Sequence, residues 1–149
     1  MQTFLPYSHF IDVAKCLDYR RLGKQRVEAM QIHRIISGQS GKSTGWVNHP
    51  AVIMWRGYPE ALAHYHNCMI AEWVGRGYKN TMSFIPPGGT IQYPHWLGYE
   101  PFHASHRSNL LRKDAEYYGQ FNWKEPDDLE YIWPTDFDVK GTRPRGELL

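Results

Sequence analysis

The stretch from Asp12 to Ser37 constrains this chain most, because it asks a helix to turn polar groups inward. Stepping by three and four from Arg21 places Arg21, Gln25, Glu28, Ile32 and Ile35 on one face. The lower half of that face is apolar and belongs in a core. The upper half sets a guanidinium, an amide and a carboxylate on the same stripe. Polar groups that face inward are costly unless they are paired or used in chemistry. Two readings follow: a buried Arg21–Glu28 ion pair that ties helices together, or a carboxylate at Glu28 that handles protons. Gly23 interrupts the pattern at a cost of about 1 kcal/mol relative to alanine, so the helix is expected whole or in two pieces.

Proline and glycine punctuate the rest. Gly38 stops the first segment, and GQSGKSTG (38–45) reads as a flexible loop. It contains Gly-Lys-Ser, but its first glycine stands three residues before that tripeptide rather than five, and no apolar strand precedes it, so the phosphate-loop reading fails. Asn48 can cap a short helix through Trp55, with Pro50 in its first turn. A longer helix runs from Pro59 to Gly75 or Gly77 with a core stripe of Leu62, Tyr65, Met69 and Trp73. Residues 80–99 form an irregular connection with at most a short strand. Pro101 opens a third main helix that reaches Tyr118. The expected fold is mainly α: one compact domain over 1–149, with about three main helices, long irregular connections and an acidic, irregular tail from 119. That tail is expected to wrap the body through Tyr131, Ile132 and Trp133.

Composition narrows the function classes. The chain has two cysteines, Cys16 and Cys68, which excludes a disulfide framework and a four-cysteine zinc site. Free thiols suit a reducing cytoplasm. No apolar run approaches a membrane span, and MQTFLPYSHF has no basic region followed by an apolar stretch, so neither a membrane partner nor a signal peptide is expected. The net charge of +2 conceals an asymmetry. Residues 1–124 carry a net +6, residues 125–138 a net −6, and the last eleven residues return +2. A basic body beside an acidic segment suits a polyanion on one face, or simply a solvated surface with a soluble tail. Aromatic residues, at 15%, serve a core or stack on bases.

The cationic candidates fall in clusters. Arg20, Lys24 and Arg26 surround the Arg21–Gln25–Glu28 stripe and suit phosphate contacts. A carboxylate inside such a groove could move protons where a nucleic-acid backbone lies. The HASHRSNLLRKD run (103–114) offers His103, His106, Arg107, Asn109, Arg112 and Lys113 as further phosphate donors. His49 either donates to phosphate or caps its own helix. A metal-dependent nuclease built on His103, His106 and Asp114 is a weaker alternative, because no nearby acid completes the set.

The order and spacing of LDYRRLGKQRVEAMQIHRIISG (17–38) and GWVNHPAVIMWRGYPEALAHYHNCMIAEWVGRGY (45–78) resemble the pyrimidine-dimer DNA glycosylase family, the phage endonuclease V type and its bacterial relatives. Leu22 and Glu28 have the spacing of that family's catalytic helix. Asn48-His49-Pro50 between Trp46 and Trp55, and EWVGRGY (72–78), resemble its next two segments. The resemblance spans residues 1–118. It implies a monomeric, metal-free and cofactor-free enzyme acting on double-stranded DNA with a damaged or modified base. It further implies that the N-terminal α-amine attacks the sugar, displaces the base and forms a Schiff base, after which elimination cuts the strand. An α-amine titrates near 8, against about 10.4 for lysine, so part of it is free base at neutral pH. By this resemblance Glu28 is the catalytic glutamate. Gln2 is too bulky for ready removal of the initiator, so Met1 is expected to supply the amine. Val27 directly before Glu28 and the RSNLLRKD cluster depart from the best-known dimer enzymes, so the lesion does not carry over. A DNA-binding module that kept the fold and lost the chemistry is the alternative.

Overall fold

A computed structural model describes residues 1–38, 45–86 and 88–134. Most of the 38–45 loop, and Asp136 and Asp138 of the acidic tail, lie outside the described residues. Six α-helices follow one another: α1 (Phe10–Cys16), α2 (Tyr19–Ile36), α3 (Pro50–Ile53), α4 (Pro59–Gly75), α5 (Glu100–Lys113) and α6 (Ala115–Tyr118), with a 3-10 turn at Gly119–Phe121. The described residues contain no strand, and no helix among them is long and apolar enough to cross a membrane.

The first helical segment is in two pieces because Leu17 and Asp18 are extended. Asp18 caps α2 by accepting from the Arg21 amide at 3.3 Å. Arg76, at the end of α4, donates to the carbonyls of Ala14, Lys15 and Leu17 at 3.1, 3.2 and 2.8 Å and so covers the C-terminal carbonyls that α1 leaves open. Three boundaries correct the expectations. His49 rather than Asn48 caps α3, its Nδ1 accepting from the Ala51 amide at 3.0 Å, which is one of the two roles its sequence position offered. That helix ends at Ile53 rather than Trp55. The third main helix breaks at Asp114, whose side chain caps α6 through the Tyr117 amide at 3.1 Å.

Helix α4 lies against α2 and α1. Leu22, Ala29 and Ile32 of α2 and Leu62, Tyr65 and Met69 of α4 are buried in one core with Trp55, Trp96 and Phe102. Gly23 has a packing reason. A Cβ built there would stand 2.8 Å from Cζ3 of Trp73, so only glycine lets that indole lie on α2. The irregular 80–99 connection is anchored by Trp96, whose Nε1 donates to the Met54 carbonyl at 2.9 Å.

The least expected element is the start of the chain. Residues 3–6 are buried and belong to no helix or strand, so their backbone groups need other partners. Side chains supply them. Gln25 accepts from the Phe4 amide and donates to the Gln2 carbonyl, both at 3.0 Å. The Tyr65 hydroxyl lies 2.8 Å from the Phe4 carbonyl and 2.5 Å from Gln25 Oε1. His106 Nδ1 accepts from the Leu5 amide at 2.9 Å, and His103 Nδ1 donates to the Leu5 carbonyl at 2.7 Å. Arg107 donates to the Pro6 carbonyl at 2.7 Å. Arg107 is itself held by Glu125 of the tail at 2.9 Å and by Glu100. The tail wraps this assembly, with the Leu129 and Ile132 amides donating to Ser108 and Ser105 at 3.0 and 3.2 Å.

These bonds fix both histidines as neutral. His106 accepts through Nδ1, so its proton is on Nε2. His103 donates through Nδ1 and accepts the Gly98 amide at Nε2, 2.9 Å away. Burial pushes both pKa values down, His106 furthest, and the Arg107 charge adds to it.

Two outcomes are expected. The folded state takes up fewer protons than the unfolded chain below an ordinary histidine pKa of about 6.5. Unfolding free energy from urea titration should therefore be full above that pH and fall as pH drops below it, with a slope approaching about 1.4 kcal/mol per pH unit for each histidine. A flat profile from pH 7 to pH 5 would contradict the buried neutral pair. Gly23→Ala should destabilise by about 1–3 kcal/mol through overpacking on Trp73. A gain of about 1 kcal/mol, the intrinsic helical preference, would mean that the indole moves aside freely.

Candidate active site

Glu28 lies one turn beyond Gln25 on α2, at the point where the N-terminal segment begins. It is only 7% exposed. The Gln2 amide donates to its Oε2 at 2.5 Å. Oε1 is 3.8 Å from Lys24 Nζ, an i,i+4 pair whose lysine side chain is 74% exposed and therefore weakly held. The expected alternative, a buried Arg21–Glu28 pair, is not formed. Arg21 turns instead to Asp18, with Nη1 3.1 Å from Oδ1. Burial alone would raise the Asp18 pKa, but hydrogen bonds from Tyr118 and Arg21 outweigh it and hold the carboxyl below its usual range.

The contact to Glu28 is made by the amide one residue along from the first amine of the chain. Backbone geometry keeps the Met1 nitrogen no more than about 6 Å from that carboxylate oxygen. His49 faces the same space. Burial lowers its pKa, the positive α-amine lowers it further, and the Glu28 carboxylate partly offsets both. Around His49 stand Trp46 and Trp133, with ring centroids at 5.4 and 5.9 Å, and Trp133 packs on Tyr131 at 4.9 Å. Tyr131 holds the Gln2 side chain through its hydroxyl and is kept protonated by burial. Four parts of the chain thus converge: its start, α2, the cap of α3 and the tail. A carboxylate with one oxygen on an amide and the other beside an exposed lysine can accept or return a proton and can stabilise a cation next to it.

The structure sorts the other candidates. Arg20 and Lys24 lie open to solvent on α2. Arg26 is half-buried over the Trp73 ring at 4.1 Å, and its Nη1 donates to Asn80 at 2.7 Å. Gln25 is in the core and belongs to the N-terminal segment. Arg112 and Lys113 are exposed at the end of α5, Arg112 reaching the Asp127 carbonyl at 2.7 Å and Asn109 at 3.2 Å. His103, His106 and Arg107 correct the expectation of phosphate donors. They are buried and spent on Leu5 and Pro6, so they are not presented to a ligand. The same bonds disfavour the metal alternative. Both nitrogens of His103 are engaged by backbone, Asp114 is a helix cap, and among the described residues no group of three His, Cys, Asp or Glu side chains could hold an ion.

Sequence reasoning missed the roles of Gln2, Tyr65 and Tyr131 around the site. No periodicity marks a short segment outside any helix whose partners lie far along the chain.

Comparison with known proteins adds one positive finding. The family described as pyrimidine dimer DNA glycosylase matches residues 1–86, more than half of the chain. No curated protein and no solved structure matches. The matched part contains Met1, the N-terminal segment, Glu28 and the His49 cap, which is the arrangement just described apart from the tail. The chain therefore belongs to the pyrimidine dimer DNA glycosylase family, whose members are DNA-repair glycosylases.

Proposed function

We propose that this protein removes a damaged or modified base from double-stranded DNA and then cuts the strand, using the Met1 α-amine as nucleophile and Glu28 as acid–base group. The observation that carries this reading is the Gln2 amide on Glu28 Oε2, which ties the residue next to the α-amine to a buried carboxylate.

The free amine attacks C1′ of the target nucleotide, and the C1′–base bond breaks with its electrons leaving on the base. Positive charge develops on the sugar beside the Glu28 carboxylate, which stabilises it. Proton transfer to the ring oxygen opens the sugar and leaves a protonated Schiff base at C1′. Loss of a C2′ proton then expels the 3′ phosphate, and water releases the amine. The amine must reach the sugar edge of a nucleotide, so the target or its opposite partner has to leave the stack. His49 and the Trp46 and Trp133 rings border the space where such a nucleotide would sit. Arg20, Lys24, Arg112 and Lys113 are the exposed cations proposed to hold phosphates.

Glu28→Gln tests the carboxylate without removing the acceptor that the Gln2 amide needs. Cleavage of an abasic duplex should fall by about 10²–10⁴-fold, with binding kept or tightened because a negative charge leaves the site. Unchanged cleavage would remove Glu28 from the chemistry, and loss of binding or folding would make it a structural group. A double change of Arg112 and Lys113 to alanine should weaken binding at every sequence. It should also lower the salt slope by about 1 for each phosphate left without its cation. An unchanged slope would show that the end of α5 faces away from DNA.

A further inference from the structure

The outer face of α2 carries a second built feature that the chemistry at Glu28 does not use. Tyr19 and Tyr78 remain 49% and 39% exposed, although their rings meet at 5.8 Å. The Arg20 guanidinium stands 5.7 Å from the Tyr19 ring. Behind Tyr78 lies Trp73, at 4.6 Å, and over Trp73 lies Arg26. The row therefore sets three aromatic rings between two arginines, with its two tyrosines at the surface.

The fold holds this row in place. Gly23 makes the space in which Trp73 lies on α2. The turn after α4 is pinned by Trp73 Nε1 on the Lys79 carbonyl at 2.8 Å and by the Tyr78 amide on the Trp73 carbonyl at 3.3 Å. Gly77, with φ of +89°, allows that turn. Tyr78 is thereby presented to solvent by a fixed support. Lys24 and Lys79 are exposed nearby in sequence, and the adjacent carboxylate, Asp18, is already bound by Arg21 and Tyr118. The surface is cationic and aromatic, which suits an unpaired nucleotide with an exposed base face and a phosphate on either side.

Lys24 and Arg20 connect this row with the candidate site. Arg20, Lys24 and Glu28 follow one another at i,i+4 along one face of α2. Tyr19 stands nine residues from Glu28, about 14 Å along the axis and half a turn around it, so a strand reaches the tyrosine pair by passing round α2 over Lys24 and Arg20.

We propose that Tyr19 and Tyr78, flanked by Arg20, form a stacking site for an unpaired nucleotide in the strand that flanks the target. This rests on the DNA-glycosylase reading above and adds a preference: substrates whose flank is single-stranded on one side should bind best.

The test uses the full chain and duplexes carrying a tetrahydrofuran abasic analogue, which cannot form an imine. One duplex is fully paired. Two others have an unpaired flank beginning three positions from the analogue, on its 5′ or its 3′ side. Fluorescence anisotropy should show one of the two unpaired flanks bound about tenfold more tightly than the paired duplex. Tyr19→Ala should remove that preference, and Tyr19→Phe should retain it. Equal affinity of the wild-type chain for all three duplexes, or a preference that survives Tyr19→Ala, would overturn this inference and leave the glycosylase reading intact. Failure of the wild-type chain to bind any of the three would overturn both.

Discussion

The structure depends on how a buried stretch of backbone outside any helix finds hydrogen-bond partners without a neighbouring strand. Each amide and carbonyl taken out of water needs a partner, and an unpaired one costs about 1–3 kcal/mol. Around Gln2–Pro6 those partners are side chains from three helices: Gln25 from α2, Tyr65 from α4, and His103, His106 and Arg107 from α5. The segment is thus a hub as well as a passenger. It explains why α5 places two histidines and an arginine inside, and why the tail returns to put Glu125 on Arg107.

The same arrangement separates two roles on one helical stripe. Gln25 and Glu28 are a turn apart and both face inward. Gln25 is fully occupied by backbone and by Tyr65. Glu28 takes a single amide and otherwise faces an exposed lysine and the start of the chain. An amide suits the first position because it both donates and accepts, as the Phe4 amide and the Gln2 carbonyl require. A carboxylate in that position would meet a carbonyl with no proton to offer. At the second position, a group that changes its protonation state is open to chemistry. Residues 1–86, the part matched by the glycosylase family, contain both.

Much of this is legible in the sequence, and the reasons are local. Pro59 and Gly75 bound α4, and its Leu62–Tyr65–Met69 stripe is buried. The Arg21–Gln25–Glu28 stripe marks the helix that carries the candidate carboxylate. What cannot be read depends on partners remote in sequence. His106 reaches Leu5 across a hundred residues, and α5 has so little apolar periodicity that its inner and outer faces look alike. Basic residues there therefore read as ligands of phosphate, although Arg107 is a buried strut and only Arg112 and Lys113 reach the surface. Gly23 reads as a flaw in a helix because its reason, Trp73, lies fifty residues away.

The held chain start is proposed to deliver its amine to a sugar beside Glu28. Borohydride reduction during incubation with a labelled abasic duplex, and separately with a duplex carrying a cyclobutane dimer, tests this most directly, since reduction fixes any Schiff base as a stable adduct. The expected result is an adduct with the abasic duplex that maps by mass spectrometry to the α-amine of Met1, and an adduct with the dimer duplex as well if the dimer is the target. Binding of the abasic duplex without any adduct, or an adduct on a lysine side chain, would contradict it.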